Sequence, residues 1–245
     1  MSEKTMTGTK RTASAIIAVA LGIAVVGTLG LSLHKISADP QGKLYAKPEA
    51  GTINVNGKDY PKASIEMGVY ADNGQAEEDK SGLAVVNKRD WVHFGPKTHL
   101  VLPANTYITM TIRAYDGGEK LNNAFFGKVV GTVGGTMNVD GKDVSEISPE
   151  AVQHTFTLHG IPSAKQDSLF VNIPLLKVEE GDNGFMPTED PGTGKKGHTI
   201  TFSFLTKGKG NYVFNCEYPC GDGTYAKFGA AMSAYGYMSG KVTVA

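Results

Sequence analysis

A series of short runs carrying an apolar residue at every second position constrains this chain most. In residues 107–113, Ile108, Met110 and Ile112 share one face of an extended segment. Residues 152–158 alternate likewise, placing Val152, His154, Phe156 and Leu158 together. Residues 198–205 align Ile200, Phe202 and Phe204, residues 212–216 align Tyr212, Phe214 and Cys216, and residues 241–244 read as a closing strand. Turn chemistry separates the runs: Asn56-Gly57, Asp116-Gly117-Gly118, Asp140-Gly141 and Gly208-Lys209-Gly210. The 31 glycines among 245 residues suit that many turns. Regular punctuation without helical periodicity predicts an all-β sandwich or barrel.

One segment breaks the pattern. Residues 14–33 carry no charge over 20 positions, which at about 1.5 Å per residue spans a hydrocarbon core about 30 Å thick. No polar face interrupts it, so a soluble core helix fits badly. Lys4, Lys10 and Arg11 precede it and His34 and Lys35 follow, a bias that keeps the N-terminus cytoplasmic and sends the remainder across. A cleaved signal peptide ending at Ile36-Ser37-Ala38 is the rival reading. Ile36 is not a small residue and the run exceeds an ordinary signal core, which favours an uncleaved anchor. Either way the folded part is expected outside the cytoplasm: single-pass at the cell membrane, or secreted or periplasmic after cleavage.

These boundaries divide the chain into a cytoplasmic N-terminus and transmembrane anchor (1–36), a polar linker containing Pro40 and Pro48 (37–51) and a β domain (52–245). Within the domain, 52–97 reads as an N-terminal extension and 98–245 as the core. Residues 122–150 read as an insertion between core strands, and 179–196 as a long loop. Its carboxylates, Glu179, Glu180, Asp182, Glu189 and Asp190, suit a solvated face, with calcium as a weaker reading. Lys and Arg number 24, as do Asp and Glu, so no overall field recruits nucleic acid. No Gly-x-Ser-x-Gly elbow, His-Glu-x-x-His pair or phosphate-binding loop is present, which points away from those enzymes and toward a carrier.

The chemistry concentrates near the C-terminus. Only two cysteines occur, Cys216 and Cys220, in the stretch Gly-Asn-Tyr-Val-Phe-Asn-Cys-Glu-Tyr-Pro-Cys-Gly at 210–221. Two thiols this close imply a local bridge or a shared metal, and the residues leave both open. A strand that delivers a thiol from its buried face, followed by a Gly/Pro-rich loop, suits a soft metal. His154 is the inward-facing imidazole of a distant strand, and such a ring must satisfy its nitrogens. Met232 and Met238 lie downstream as thioethers or packing residues. His159 is a reserve imidazole near the sandwich rim. His93 and His99 flank a Phe94-Gly95-Pro96 turn and are expected to be solvated, and His198 opens a strand as a structural residue.

Gly-x-Tyr-x-Phe-x-Cys at 210–216, after a His-Thr-Phe strand at 154–156, resembles the cupredoxins: blue copper proteins, sulfocyanin-like proteins and subunit II of cytochrome oxidase. The resemblance covers roughly residues 100–245 and implies a Greek-key sandwich. The Cys-x-x-x-Cys-Gly spacing looks most like the dinuclear copper loop of the oxidase subunit. It implies copper ligands at His154, Cys216 and Cys220, with the Tyr218 carbonyl as a backbone donor; Met232, further downstream, is the candidate thioether to reach back as an axial ligand. Where the oxidase loop carries a histidine and a methionine, this chain has Thr224 and Lys227. The implied function is single-electron transfer by a membrane-tethered copper protein exchanging electrons with respiratory-chain partners. The alternatives are a metal-free, disulfide-closed accessory or assembly module, and a copper storage or delivery protein.

Overall fold

The computed structural model describes residues 8–37, 42–70, 92–117, 123–178, 185, 187–189, 196–218, 220, 230–233 and 236–245. The chain divides into two units, Met1–Pro40 and Gln41–Ala245. The first contains helix α1, Gly8–Ser37. Its window Ala13–Ser32 has a mean hydropathy of 2.3 and none of it is buried, so by length and composition it can cross a membrane or serve as a signal sequence.

The second unit is a two-sheet β-sandwich, as the alternating runs predict. Its strands are β1 (Lys43–Tyr45), β2 (Lys47–Val55), β3 (Lys58–Tyr70), β4 (His93–Gly95), β5 (His99–Leu102), β6 (Tyr107–Ala114) and β7 (Met137–Val139). They continue with β8 (Lys142–Val144), β9 (Val152–Gly160), β10 (Leu169–Leu176), β11 (Thr188–Glu189), β12 (Lys196–Leu205), β13 (Gly210–Asn215) and β14 (Ser239–Val244). A six-stranded sheet runs β1-β5-β14-β13-β9-β10. The eight-stranded sheet runs β2-β3-β6-β12-β7-β8, with β4 on β3 and β11 on β12. Both are mixed, since β5 pairs β1 and β14 in parallel and β3 pairs β6 in parallel.

The facing apolar residues are those the alternation selects. Ile108, Met110 and Ile112 from β6 meet Ile200, Phe202 and Phe204 from β12 inside the sandwich, opposite Phe156, Leu158 and Phe214 of the other sheet. Two hairpins turn on paired positive-φ residues, Asn56-Gly57 (φ 53° and 82°) and Asp140-Gly141 (φ 48° and 88°). That backbone matches the twist of the flanking strands, and the Asn54 and Asn138 side chains accept the glycine N–H groups at 3.0 and 2.9 Å.

Three regions differ from the expected boundaries. Within 37–51, read from composition as a linker, β1 and the start of β2 already belong to the sheets. Their side chains are mostly exposed on both faces, so no alternation marks them. The described parts of 52–97 are integral strands: β3 lies between β2 and β6. The insertion at 122–150 supplies β7 and β8, which extend the eight-stranded sheet through β12. Val130 also bridges Asn172, setting this segment along the free edge of β10. Strand β10 is buried almost throughout.

Candidate metal centre

The site forms where β9 and β13 run antiparallel, Asn215 opposite Thr157, so the next residue of each strand brings Cys216 toward Thr155 and His154. His154 shares the inner face of β9 with Val152, Phe156 and Leu158. Cys216 follows β13 on the same side as Tyr212 and Phe214. Phe156 stacks on Phe214 at 4.9 Å between centroids, and Phe94 meets Phe214 edge-on at 5.3 Å. These rings tie the two strands together two residues from each donor.

Nδ1 of His154 lies 3.1 Å from Cys220 Sγ and 3.7 Å from Cys216 Sγ, and the sulfurs are 3.3 Å apart. One nitrogen and two sulfurs thus lie within 4.8 Å of one another. All three residues are buried, with 2% of His154, 0% of Cys216 and 5% of Cys220 exposed. Both thiols are free. The Tyr218 carbonyl accepts from Cys220 Sγ at 3.2 Å, which brings that backbone oxygen to the edge of the cluster.

The imidazole is held from behind. Its Nε2 meets Asp116 Oδ2 at 2.8 Å, the carboxylate being 14% exposed. Nε2–H donates to this carboxylate, which leaves Nδ1 directed at the sulfurs; a carboxylate behind a histidine fixes the tautomer and raises ligand basicity. Sequence reading treated Asp116 as a turn residue. Its signal was faint: an Asp ending an apolar-alternating strand that pairs with others from the same sandwich.

Cys216 is also gripped by backbone. The amides of Thr155 and Tyr218 donate to its sulfur, each at 3.4 Å, while its own N–H donates to the Met238 carbonyl at 2.9 Å. Thr155 Oγ1 accepts the Glu217 N–H at 2.9 Å, and Thr157 sits 3.1 Å from that hydroxyl and donates to Asn172 Oδ1 at 2.8 Å. The cysteine turn is therefore pinned to the strand that carries the histidine.

The electrostatics are asymmetric. Burial alone would lower the His154 pKa, but the Asp116 hydrogen bond and the Cys216 sulfur overcome it and push the ring from 6.5 up to about 9. Burial opposes ionisation of Cys216 as well, yet hydrogen bonds from Cys220 and His154 bring its thiol well below the ordinary range. The Cys220 thiol is driven upward by its bond to Cys216 and by burial. Burial and the nearby Cys216 charge also raise the Tyr218 phenol to about 12.

Met232 lies partly buried against the core in the helical turn Ala230–Ser233, whose Ala231 carbonyl accepts the Met238 N–H at 3.2 Å. Met238 is fully buried. His159 leaves the cluster and binds Asn215 Oδ1 through Nε2 at 2.8 Å. His93 is not solvated: only 1% exposed, it stacks on Tyr70 at 5.4 Å because β4 folds onto β3. His99 is half-buried, its Nε2 3.1 Å from Thr243 Oγ1. His198 is buried and binds Asp140 through Nδ1 at 2.7 Å, a structural position in β12. Thr224, Lys227 and four of the loop carboxylates (Glu179, Glu180, Asp182, Asp190) lie outside the described residues, whereas Glu189 is exposed in β11.

The donor chemistry fits a soft or borderline metal. Two sulfurs and an oriented imidazole converge in a buried pocket, which is consistent with a copper site. Replacing Asp116 with Asn is expected to lower copper affinity about 10- to 100-fold, checked by competition with a chelator of known strength. In the metal-free protein, the raised His154 pKa stabilises the fold fully below 6.5, and this is lost as pH rises through about 9. Asp116→Asn removes one of the two groups that raise it, Cys216 remaining. The loss of stability over that pH interval, followed by denaturant unfolding, becomes smaller than in the parent.

No family model matches the chain, and no curated protein does. Solved structures similar to it include a reduced rusticyanin, at 15% identity and TM-score 0.32 over 76% of this chain and 81% of the other. Rusticyanin from Thiobacillus ferrooxidans aligns at 12% identity and TM-score 0.29, over 75% and 82%. Auracyanin B aligns at 16% and TM-score 0.28, over 81% and 98%. Both are cupredoxins.

Proposed function

We propose that this chain is a membrane-anchored, extracytoplasmic copper protein that transfers single electrons. One observation carries the proposal: a buried imidazole and two cysteine sulfurs within 4.8 Å of one another, the imidazole braced by Asp116. A copper ion bound there would supply a one-electron couple. His154, Cys216 and Cys220 would hold it, with Met232 as a further weak thioether donor and the Tyr218 carbonyl beside the sulfurs.

The protein's own contribution is geometry and exclusion of water. Asp116 orients His154, the Thr155 and Tyr218 amides stabilise negative charge on Cys216, and the Phe156–Phe214 pair keeps the pocket dry. A donor set that is already in place when the metal changes charge needs little rearrangement for each electron. Helix α1 suits a membrane tether by its hydropathy, and its basic N-terminal flank favours export of the sandwich. Respiratory-chain carriers are the partners such placement serves.

The test is thiol titration with and without reductant on protein loaded with copper, paired with its visible spectrum. The proposal expects bound copper and a strong sulfur-to-copper charge-transfer band. Two oxidised cysteines and no copper would contradict it. That outcome would favour the second reading, a disulfide-closed accessory module, for which the 3.3 Å approach of the two sulfurs is the relevant observation.

A further inference from the structure

Tyr218 does more than bracket the cysteines. Its amide donates to Cys216 Sγ and its carbonyl accepts from Cys220, so its backbone touches both sulfurs. The residue is 2% exposed, and its ring lies 5.4 Å from that of Phe126, tilted by 53°. Phe126 in turn meets Phe125 at 5.8 Å, nearly edge-on at 76°. Phe125 is 46% exposed.

A residue whose backbone touches both sulfurs is therefore continued by its own ring and two more, the last of them exposed to solvent. The outer two are held on a rigid turn: the Phe125 N–H donates to Asn123 Oδ1 at 3.1 Å, and its carbonyl accepts the Lys128 N–H at 3.0 Å. A single exposed phenylalanine is ordinary on a protein surface. Continuity with the sulfur cluster is what sets this one apart.

Resting on the copper reading, we infer that Tyr218, Phe126 and Phe125 form the route by which electrons enter and leave the centre, with Phe125 as the apolar contact for a one-electron partner. Among the described residues the buried Tyr218 hydroxyl has no hydrogen-bond partner. Oxidising a tyrosine releases its phenolic proton, and no described residue is placed to receive it. The ring thus conveys the electron by electronic coupling and keeps its proton. In the outward direction Cu(I) becomes Cu(II), the acceptor gains one electron, and no proton moves.

Two measurements on the full chain test this. The acceptor is tris(phenanthroline)cobalt(III), whose aromatic periphery can pack on an exposed ring, and the first reading is its rate of oxidising the reduced, copper-loaded protein. The second is line broadening in nuclear magnetic resonance spectra of metal-free protein by tris(phenanthroline)chromium(III), a redox-inert paramagnetic analogue that maps where the probe sits.

Phe125→Leu is expected to slow oxidation about tenfold, the size of a lost apolar anchor, and to weaken the broadening around residue 125. Phe126→Leu is expected to slow oxidation to a similar degree while leaving the broadening in place, and Phe126→Tyr to restore the rate. Both leucine variants keep their copper and charge-transfer band. Unchanged rates in fully copper-loaded variants, or broadening centred away from Phe125, would overturn the route alone. A parent chain that takes up no copper would overturn the copper reading beneath it, and elemental analysis tells that failure from the first.

Discussion

Cys216→Ser eliminates copper retention and the sulfur-to-copper band while the sandwich stays folded. Cys216 is the sulfur on which the pocket converges. Two backbone amides, the Cys220 thiol and His154 all point at it, and together they bring its thiol well below the ordinary range despite complete burial. A metal binds the thiolate and must otherwise displace a proton, so the sulfur already deprotonated dominates affinity. Serine is nearly isosteric, but its hydroxyl does not ionise in this range and is a hard donor. The cost to folding is about 1 kcal/mol, from weaker acceptance of the Thr155 and Tyr218 amides. Cys220→Ser is expected to give the smaller loss, because Cys216 is the sulfur held by two backbone amides. Copper content after dialysis, with circular dichroism for the fold, checks both variants.

The second large effect is on stability. Phe156→Ala is expected to cost about 3–5 kcal/mol, the range for removing a fully buried phenylalanine. Phe156 is 0% exposed and contacts Phe94, Phe202 and Phe214 at centroid distances of 6.2, 6.0 and 4.9 Å. For a domain this size the melting temperature falls by roughly 10 °C. The same substitution loosens the site, since Phe156 lies two residues beyond His154 and Phe214 two residues before Cys216. Copper-loaded variant is therefore expected to lose metal to a mild chelator faster than the parent. A thermal melt and a chelation time course separate the two consequences.

How far the sequence discloses this architecture depends on what each strand faces. β6, β12 and β13 each have one face in the core and the other less buried, and β9 carries polar residues on its second face although Thr155 and Thr157 are buried, so period-two alternation reveals all four. β10 carries Leu-Phe-Val-Asn-Ile-Pro-Leu-Leu, buried at all but one position, with Val130 of the insertion bridging its free edge. A continuous apolar run has no period, and Pro174 argues against a strand. β1 and β2 fail in the opposite way, being mostly exposed on both sides.

The site shows the same division. His154, Cys216 and Cys220 were legible because an imidazole and a thiol on apolar faces are conspicuous, and antiparallel pairing of β9 with β13 brings them together. Asp116 was hidden because its role depends on a partner 38 positions away. The solvated reading of His93 failed because a short turn can fold back as an edge strand, which burial of its neighbour Phe94 then secures.

X-ray absorption at the copper edge of the loaded full-length protein tests the central claim most directly. Sulfur and imidazole nitrogen scatterers around the metal, with the sulfur contribution lost in Cys216→Ser, are the predicted result. A shell made only of oxygen and nitrogen, unaltered by that substitution, would contradict it.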